Sequence, residues 1–125
     1  MCSDQTPWEV TPDLAYGFAA VSSTKRACCQ CYQLTFTSGP VQGKKMIVQA
    51  TNTGGDVAST QFDLAIPGGG MGAYDGCSNS WGATPLIWGV KFGGAATNEC
   101  ASMPSKLQAG CNFRWGWFQG ADNPT

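Results

Sequence analysis

The sequence contains no histidine. That absence removes Ser-His-Asp and Cys-His catalysis together with most zinc and iron ligand sets, and leaves acid-base chemistry to carboxylates. Charge is also scarce, at 12% of residues and a net −1. No basic face is available for DNA, RNA or an anionic membrane, so the surface suits a neutral polymer. No apolar run reaches the roughly 20 residues a bilayer span needs. Nor does a secretory signal precede Met1, so the sequence reads as a mature region with a start methionine or as an internal piece.

What is present is cysteine, glycine and aromatic side chains. Seven cysteines in 125 residues point to an oxidising, extracellular compartment. Their odd number implies a free thiol or a partner outside the chain. Cys28-Cys29-Gln30-Cys31 is dense enough for a thiolate cluster, but no second Cys-x-x-Cys and no histidine complete a tetrahedral set, so no metal is expected. A chain of this length makes one domain and can bury roughly two thirds of its unfolded surface.

Glycine and proline punctuate segments rich in Val, Ile, Thr, Phe and Tyr, which predicts a compact β fold. Cys31–Thr37 alternates in polarity and reads as a two-sided strand. Across a turn, Lys44–Thr53 reads as a more fully buried partner, and a further short strand is centred on Phe62–Ile66. Two helices are predicted. One, in "ASMPSKLQAGC", has Ser102 as N-cap and Gly110 at its end. The other, in "TPDLAYGFAAV", has Thr11 as cap and Leu14 and Phe18 on one face, at a cost of about 1 kcal/mol for Gly17.

Three of the six aspartates lie between Thr53 and Cys77. Asp56 follows a Gly-Gly turn, whereas Asp63 sits between Phe62 and Leu64. Desolvation should hold Asp63 protonated while Asp56 stays ionised. Two unlike carboxyls are what glycosidic cleavage requires, one to protonate the leaving oxygen and one to activate water. The plainer reading makes Asp56 a turn residue and Asp63 the partner of a lysine. Trp8, Tyr74, Trp81, Trp88, Trp115 and Trp117 lie beside glycines or polar residues and could stack on pyranose rings; core packing is the competing reading for each, and Trp115 and Trp117 read as sharing one side of an extended segment.

The blocks "CSDQTPWEV", "LAYGFAA", "CCQCYQLTFTSGPVQGKKMIVQATNTGGD", "QFDLAIPGGGMGAYDGC", "NEC" and "WFQGADNP" occur in order and resemble the fungal-type endoglucanases of glycoside hydrolase family 45. The resemblance is weakest over 78–96. It implies a six-stranded double-psi β-barrel, mainly β with long loops and one or two short helices, and endo-β-1,4-glucanase activity on cellulose with inversion. It implies Asp63 as general acid and Asp56 as an assisting carboxylate on a mobile loop. Tyr74, Ala20, Trp88, Phe92 and Asn123 fall on the glucan groove, and Asp75 is architectural, satisfying turn amides. No cofactor is implied, and the expected partner is a β-1,4-glucan bound by a secreted monomer.

The family's general base belongs to a Thr-Arg-Tyr-Trp-Asp-Cys-Cys type of motif near the mature N-terminus, and no such motif occurs in this sequence. The chain therefore reads as a single catalytic-type barrel domain, 1–125, without the family's N-terminal segment and C-terminal tail. If Asp56 oriented the water instead, the two carboxyls would lie about 6.5–9.5 Å apart. By the same resemblance Cys100 and Cys111 form a pair, with partners for Cys2, Cys28, Cys29, Cys31 and Cys77 expected outside the chain. Two other readings share the barrel: a non-hydrolytic, expansin-like cellulose-binding or wall-loosening module, with Gln61 where a histidine would stand, and a barwin-like defence protein without an open cleft.

Overall fold

The computed structural model describes residues 4–24, 28–82 and 85–125. Five strands form one mixed sheet, β1 (Trp8–Thr11), β2 (Leu14–Ser22), β3 (Cys31–Thr35), β4 (Lys45–Gly54) and β5 (Phe62–Leu64), in the order β1-β2-β4-β3 with β5 also on β2. Three helices follow, α1 (Cys77–Trp81), α2 (Pro85–Trp88) and α3 (Ser105–Trp115). The chain is mainly β with few helices. Among the described residues the sheet does not close on itself, since β3 and β5 each pair on one side only.

The expected hairpin is present: β3 and β4 pair antiparallel from Cys31↔Gln49 to Thr35↔Lys45. Strand β4 buries Met46, Val48 and Ala50, whereas no residue of β3 is fully buried. Met46 and Val48 join Phe36, Val41, Ile66, Phe113, Trp117 and Phe118 in the main core, and each such side chain removed from water stabilises the fold by about 1.5–3 kcal/mol.

The helix expected in "TPDLAYGFAAV" is instead strand β2. Large and small residues alternate there, with Leu14, Tyr16 and Phe18 half-buried on one face and Ala15, Gly17 and Ala19 buried on the other. That period of two outweighs the capping signal of Thr11-Pro12. Small residues are required on the inner face, where a Cβ on Gly17 would press on Met46 and Pro7. The register of β2 against the parallel strand β4 slips between Ala19 and Ala20. The extra residue is Thr51 of β4, which bends that strand locally, while Ala19, Ala20 and Val21 of β2 pair with β5 on its other side.

The second expected helix forms, but with different ends. Ser102 belongs to a short 3-10 turn, Cys100–Ser102, and α3 begins after Pro104 and runs through Gly110 to Trp115. Gly110 is a packing glycine rather than a stop: a Cβ there would lie 2.6 Å from Pro67 Cδ. Trp115 thus ends a helix, and Trp117 stacks on Phe113 at 5.4 Å instead of sharing an extended face with it. A disulfide joins Cys100 to Cys111. Cys77 is also disulfide-bonded, which corrects the expectation that its partner lies outside the chain. Cys28, Cys29 and Cys31 are free and exposed.

Candidate active site

A cavity of about 680 Å³ opens between β3 and β5. Its floor is apolar, with Leu34, Phe36, Phe62, Leu64 and Phe118, and its polar walls carry Gln61, Asp63, Lys91, Arg114 and Asn123, with Phe92 beside them. Strand β5 supplies Asp63. Its cross-strand partner is Ala20 of β2, and that pairing sets where this carboxyl emerges. Phe62, the neighbour of Asp63, packs on Tyr32 with ring centroids 5.2 Å apart. The turn before β5 is tightened by Gln61, whose amide N–H donates to Ala58 O at 2.9 Å while Ala58 N–H donates to Gln61 Oε1 at 3.2 Å.

Burial pushes the Asp63 carboxyl up from its ordinary pKa, and the nearby Asp56 charge pushes it further. The group is half-buried. Desolvation and a like charge both favour the protonated form. Asp56 lies on the exposed turn after β4. Gly54 leaves room for its side chain to fold back, for a Cβ on Gly54 would sit 2.7 Å from Asp56 Oδ1. The two carboxyls therefore share one electrostatic environment, although Asp56 is not on the cavity wall.

Of the aromatic and neighbouring positions expected at a groove, Phe92 and Asn123 line the cavity, and Phe92 is 65% exposed. Tyr74 is 87% exposed but off the cavity wall. Ala20 is 6% exposed beneath Asp63, and Trp88, at 3%, is packed with Ile87, Met103 and Leu107. Trp88 is thus a core residue with no face to offer a ligand in this arrangement, and none of the tryptophans lines the cavity. Asp75 accepts a hydrogen bond from Ser78 N–H at 2.9 Å at the start of α1, and that backbone bond lowers its pKa.

Sequence reasoning missed Lys91 and Arg114. Arg114 is buried, and desolvation lowers its guanidinium pKa, with Asp122 opposing the shift. The available signal was a lone cation in the apolar run "NFRWGWF", since an arginine among aromatics has to find acceptors. Among the described residues, no group of three or more Cys, Asp or Glu side chains is arranged to hold a metal ion, and no helix is long and apolar enough to cross a membrane.

Comparison with known proteins adds to this geometry. The sequence profile of Glycosyl hydrolase family 45 matches residues 1–125. A Fusarium oxysporum protein provisionally named endoglucanase type K is 52% identical over 128 residues, covering 98% of this chain and 34% of that protein. An endoglucanase of Cryptopygus antarcticus is 48% identical over 130 residues, covering 100% of this chain and 57% of its own length. The crystal structure of cellulase from that Antarctic springtail superposes with a TM-score of 0.84 at 48% identity, over 99% of this chain and 62% of the other. The chain therefore spans between a third and two thirds of the length of these relatives.

Proposed function

The chain belongs to glycosyl hydrolase family 45, and from that premise we propose that it forms the central part of a secreted, monomeric endo-β-1,4-glucanase that cleaves cellulose with inversion. The observation that carries this reading is Asp63, a half-buried carboxyl on the wall of the 680 Å³ cavity, held towards its protonated form by burial and by Asp56. A general acid has to carry a proton at the working pH, and its usefulness grows as its pKa approaches that pH.

Asp63 donates its proton to the glycosidic oxygen as the bond to C1 breaks. Water attacks C1 from the opposite face of the ring, and a general base takes the water's proton. That base comes from a segment of the whole protein beyond these 125 residues. Asp56, by its charge, maintains the protonated state of Asp63 until the leaving group takes the proton. Phe92 offers an apolar face to a sugar ring, Asn123 offers hydrogen bonds to its hydroxyls, and Tyr74 extends the contact from the exposed loop after Gly72. The chemistry calls for no metal or organic cofactor.

The fold follows from the same reading. Among the described residues, strands β3 and β5 each carry one free edge beside the cavity, and a sixth strand from elsewhere in the whole protein, seated between them, would close the sheet into a double-psi barrel. The proposal is tested by release of reducing ends from carboxymethylcellulose, comparing the whole protein, which carries the base, with its Asp63→Asn variant. Release that is lost in the variant supports the assignment, and equal release from both overturns it. Retention of cello-oligosaccharides without any release would favour the non-hydrolytic, expansin-like reading.

A further inference from the structure

Arg114 is 3% exposed, yet the proposed chemistry makes no use of it. Its Nη1 donates to the Ala95 carbonyl at 2.8 Å and its Nη2 to the Gly93 carbonyl at 2.9 Å. Its guanidinium carbon lies 4.6 Å from the centre of the Trp115 ring. The two accepting carbonyls flank Gly94, at the end of the turn that carries Phe92 at its tip, and Val90 and Gly94 close that turn with a pair of 3.1 Å hydrogen bonds.

The large side chains of this turn, Val90 and Phe92, are 66% and 65% exposed and contribute little packing. The turn lies backbone to backbone on a second glycine-rich loop, with Ala95 N–H donating to Gly68 O at 2.9 Å and Gly72 N–H to Lys91 O at 3.0 Å. A Cβ on Gly94 would strike the Gly68 carbonyl, and one on Gly70 would strike that of Lys91. The position of Phe92 therefore rests on backbone hydrogen bonds. Two further carbonyls of the turn, those of Gly93 and Ala95, accept from a planar fork on α3, where both donors are fixed by one rigid group.

We infer that Arg114 is a positioning residue of the glucan site, its fork fixing the Val90–Ala95 turn so that Phe92 stands at the cavity rim. The inference rests on the reading of this cavity as a glucan site. A merely structural Arg114 would affect stability and leave the contribution of Phe92 to binding untouched, so the two roles separate in a double-mutant cycle.

The experiment is calorimetric titration of cellohexaose into the wild type, Phe92→Ala, Arg114→Lys, Arg114→Gln and the Phe92→Ala/Arg114→Gln double variant, with amide hydrogen exchange on each. Phe92→Ala is expected to weaken binding about tenfold, the scale of one lost aromatic contact. Arg114→Gln should weaken it by a similar factor in the wild-type background and hardly at all once Phe92 is absent. Arg114→Lys keeps the charge without the fork and should fall between; if Arg114→Gln does not fold, the same cycle is run with lysine. Equal losses from the Arg114 change in both backgrounds, or none in either, overturn the inference. Unchanged binding by Phe92→Ala, or no binding by the wild type, overturns the glucan reading. The clamp is then judged by exchange alone: faster exchange at Gly94 and Ala95 in Arg114→Lys upholds it, and unchanged exchange there refutes it.

Discussion

Asp63 carries a cost in stability that depends on pH. Because its folded pKa lies above the unfolded value, the folded state binds the extra proton, and stability falls as pH rises from the ordinary carboxylate pKa of about 4 to the raised one. Below that window the group contributes no penalty. Asp63→Asn should therefore melt higher than the wild type at pH 7 and level with it at pH 3, while glucan cleavage is lost; equal melting temperatures at pH 7 would mean that the carboxyl is not strained in the fold. Its environment was legible in the sequence because it sits between Phe62 and Leu64, and local apolar neighbours predict local desolvation. Trp88 and Arg114 were not legible in the same way. The burial of Trp88 depends on Met103 and Leu107, and the acceptors of Arg114 are 19 and 21 residues away, so only the folded chain brings them together.

At the scale of elements, legibility followed the strength of one periodicity over its rivals. The hairpin of β3 and β4 was readable because alternation and turn signals agree. Strand β2 resembles a helix in sequence because Thr11-Pro12 imitates a helix start, and only the alternation of large and small residues in "LAYGFAA" marks it as a strand. In α3, Gly110 resembles a stop signal, but its place is set by Pro67. This yields a test in which two effects oppose each other. Gly110→Ala gains about 1 kcal/mol of helix propensity, but its methyl meets the Pro67 ring at 2.6 and 2.7 Å, and overpacking costs about 1–3 kcal/mol. A proline ring cannot swing aside, so the clash should win and thermal denaturation should show a net loss of about 1 kcal/mol. A gain in melting temperature would show that the contact between α3 and Pro67 yields easily. Asp75 at the start of α1 works in the ordinary direction: its pKa is lowered by the Ser78 backbone bond, so its contribution is present above the unfolded carboxylate pKa and fades as pH falls through the folded one. Asp75→Asn should flatten that acid limb of the stability profile.

For the whole molecule, the cysteines report how much of the architecture this chain completes by itself. Cys100–Cys111 and the bridge at Cys77 tie down the region around α1, α2 and α3, where Cys77, Cys100 and Cys111 lie in one core cluster with Met103 and Leu107. At the other end of the sheet, Cys28, Cys29 and Cys31 stand exposed and unbridged, with Cys28 Sγ and Cys29 Sγ 3.3 Å apart. Alkylation of the native chain followed by peptide mass mapping should therefore mark Cys28, Cys29 and Cys31, and mark Cys77, Cys100 and Cys111 only after reduction. Reaction at Cys29 should be slower than at a free cysteine at neutral pH, because the hydrogen bond and charge of Cys28 raise its pKa and the thiolate is the reactive form. Reduction should lower stability by about 3 kcal/mol for the short loop closed by Cys100 and Cys111. That loss should appear first as faster amide exchange in α3 and in the Gly93–Ala95 turn that Arg114 holds, and only later in β2 and β4, whose pairing runs along all nine residues of β2 without a crosslink. Exchange that quickened uniformly would instead mean that sheet and helices open as one unit, with the disulfides setting the stability of the sheet as well.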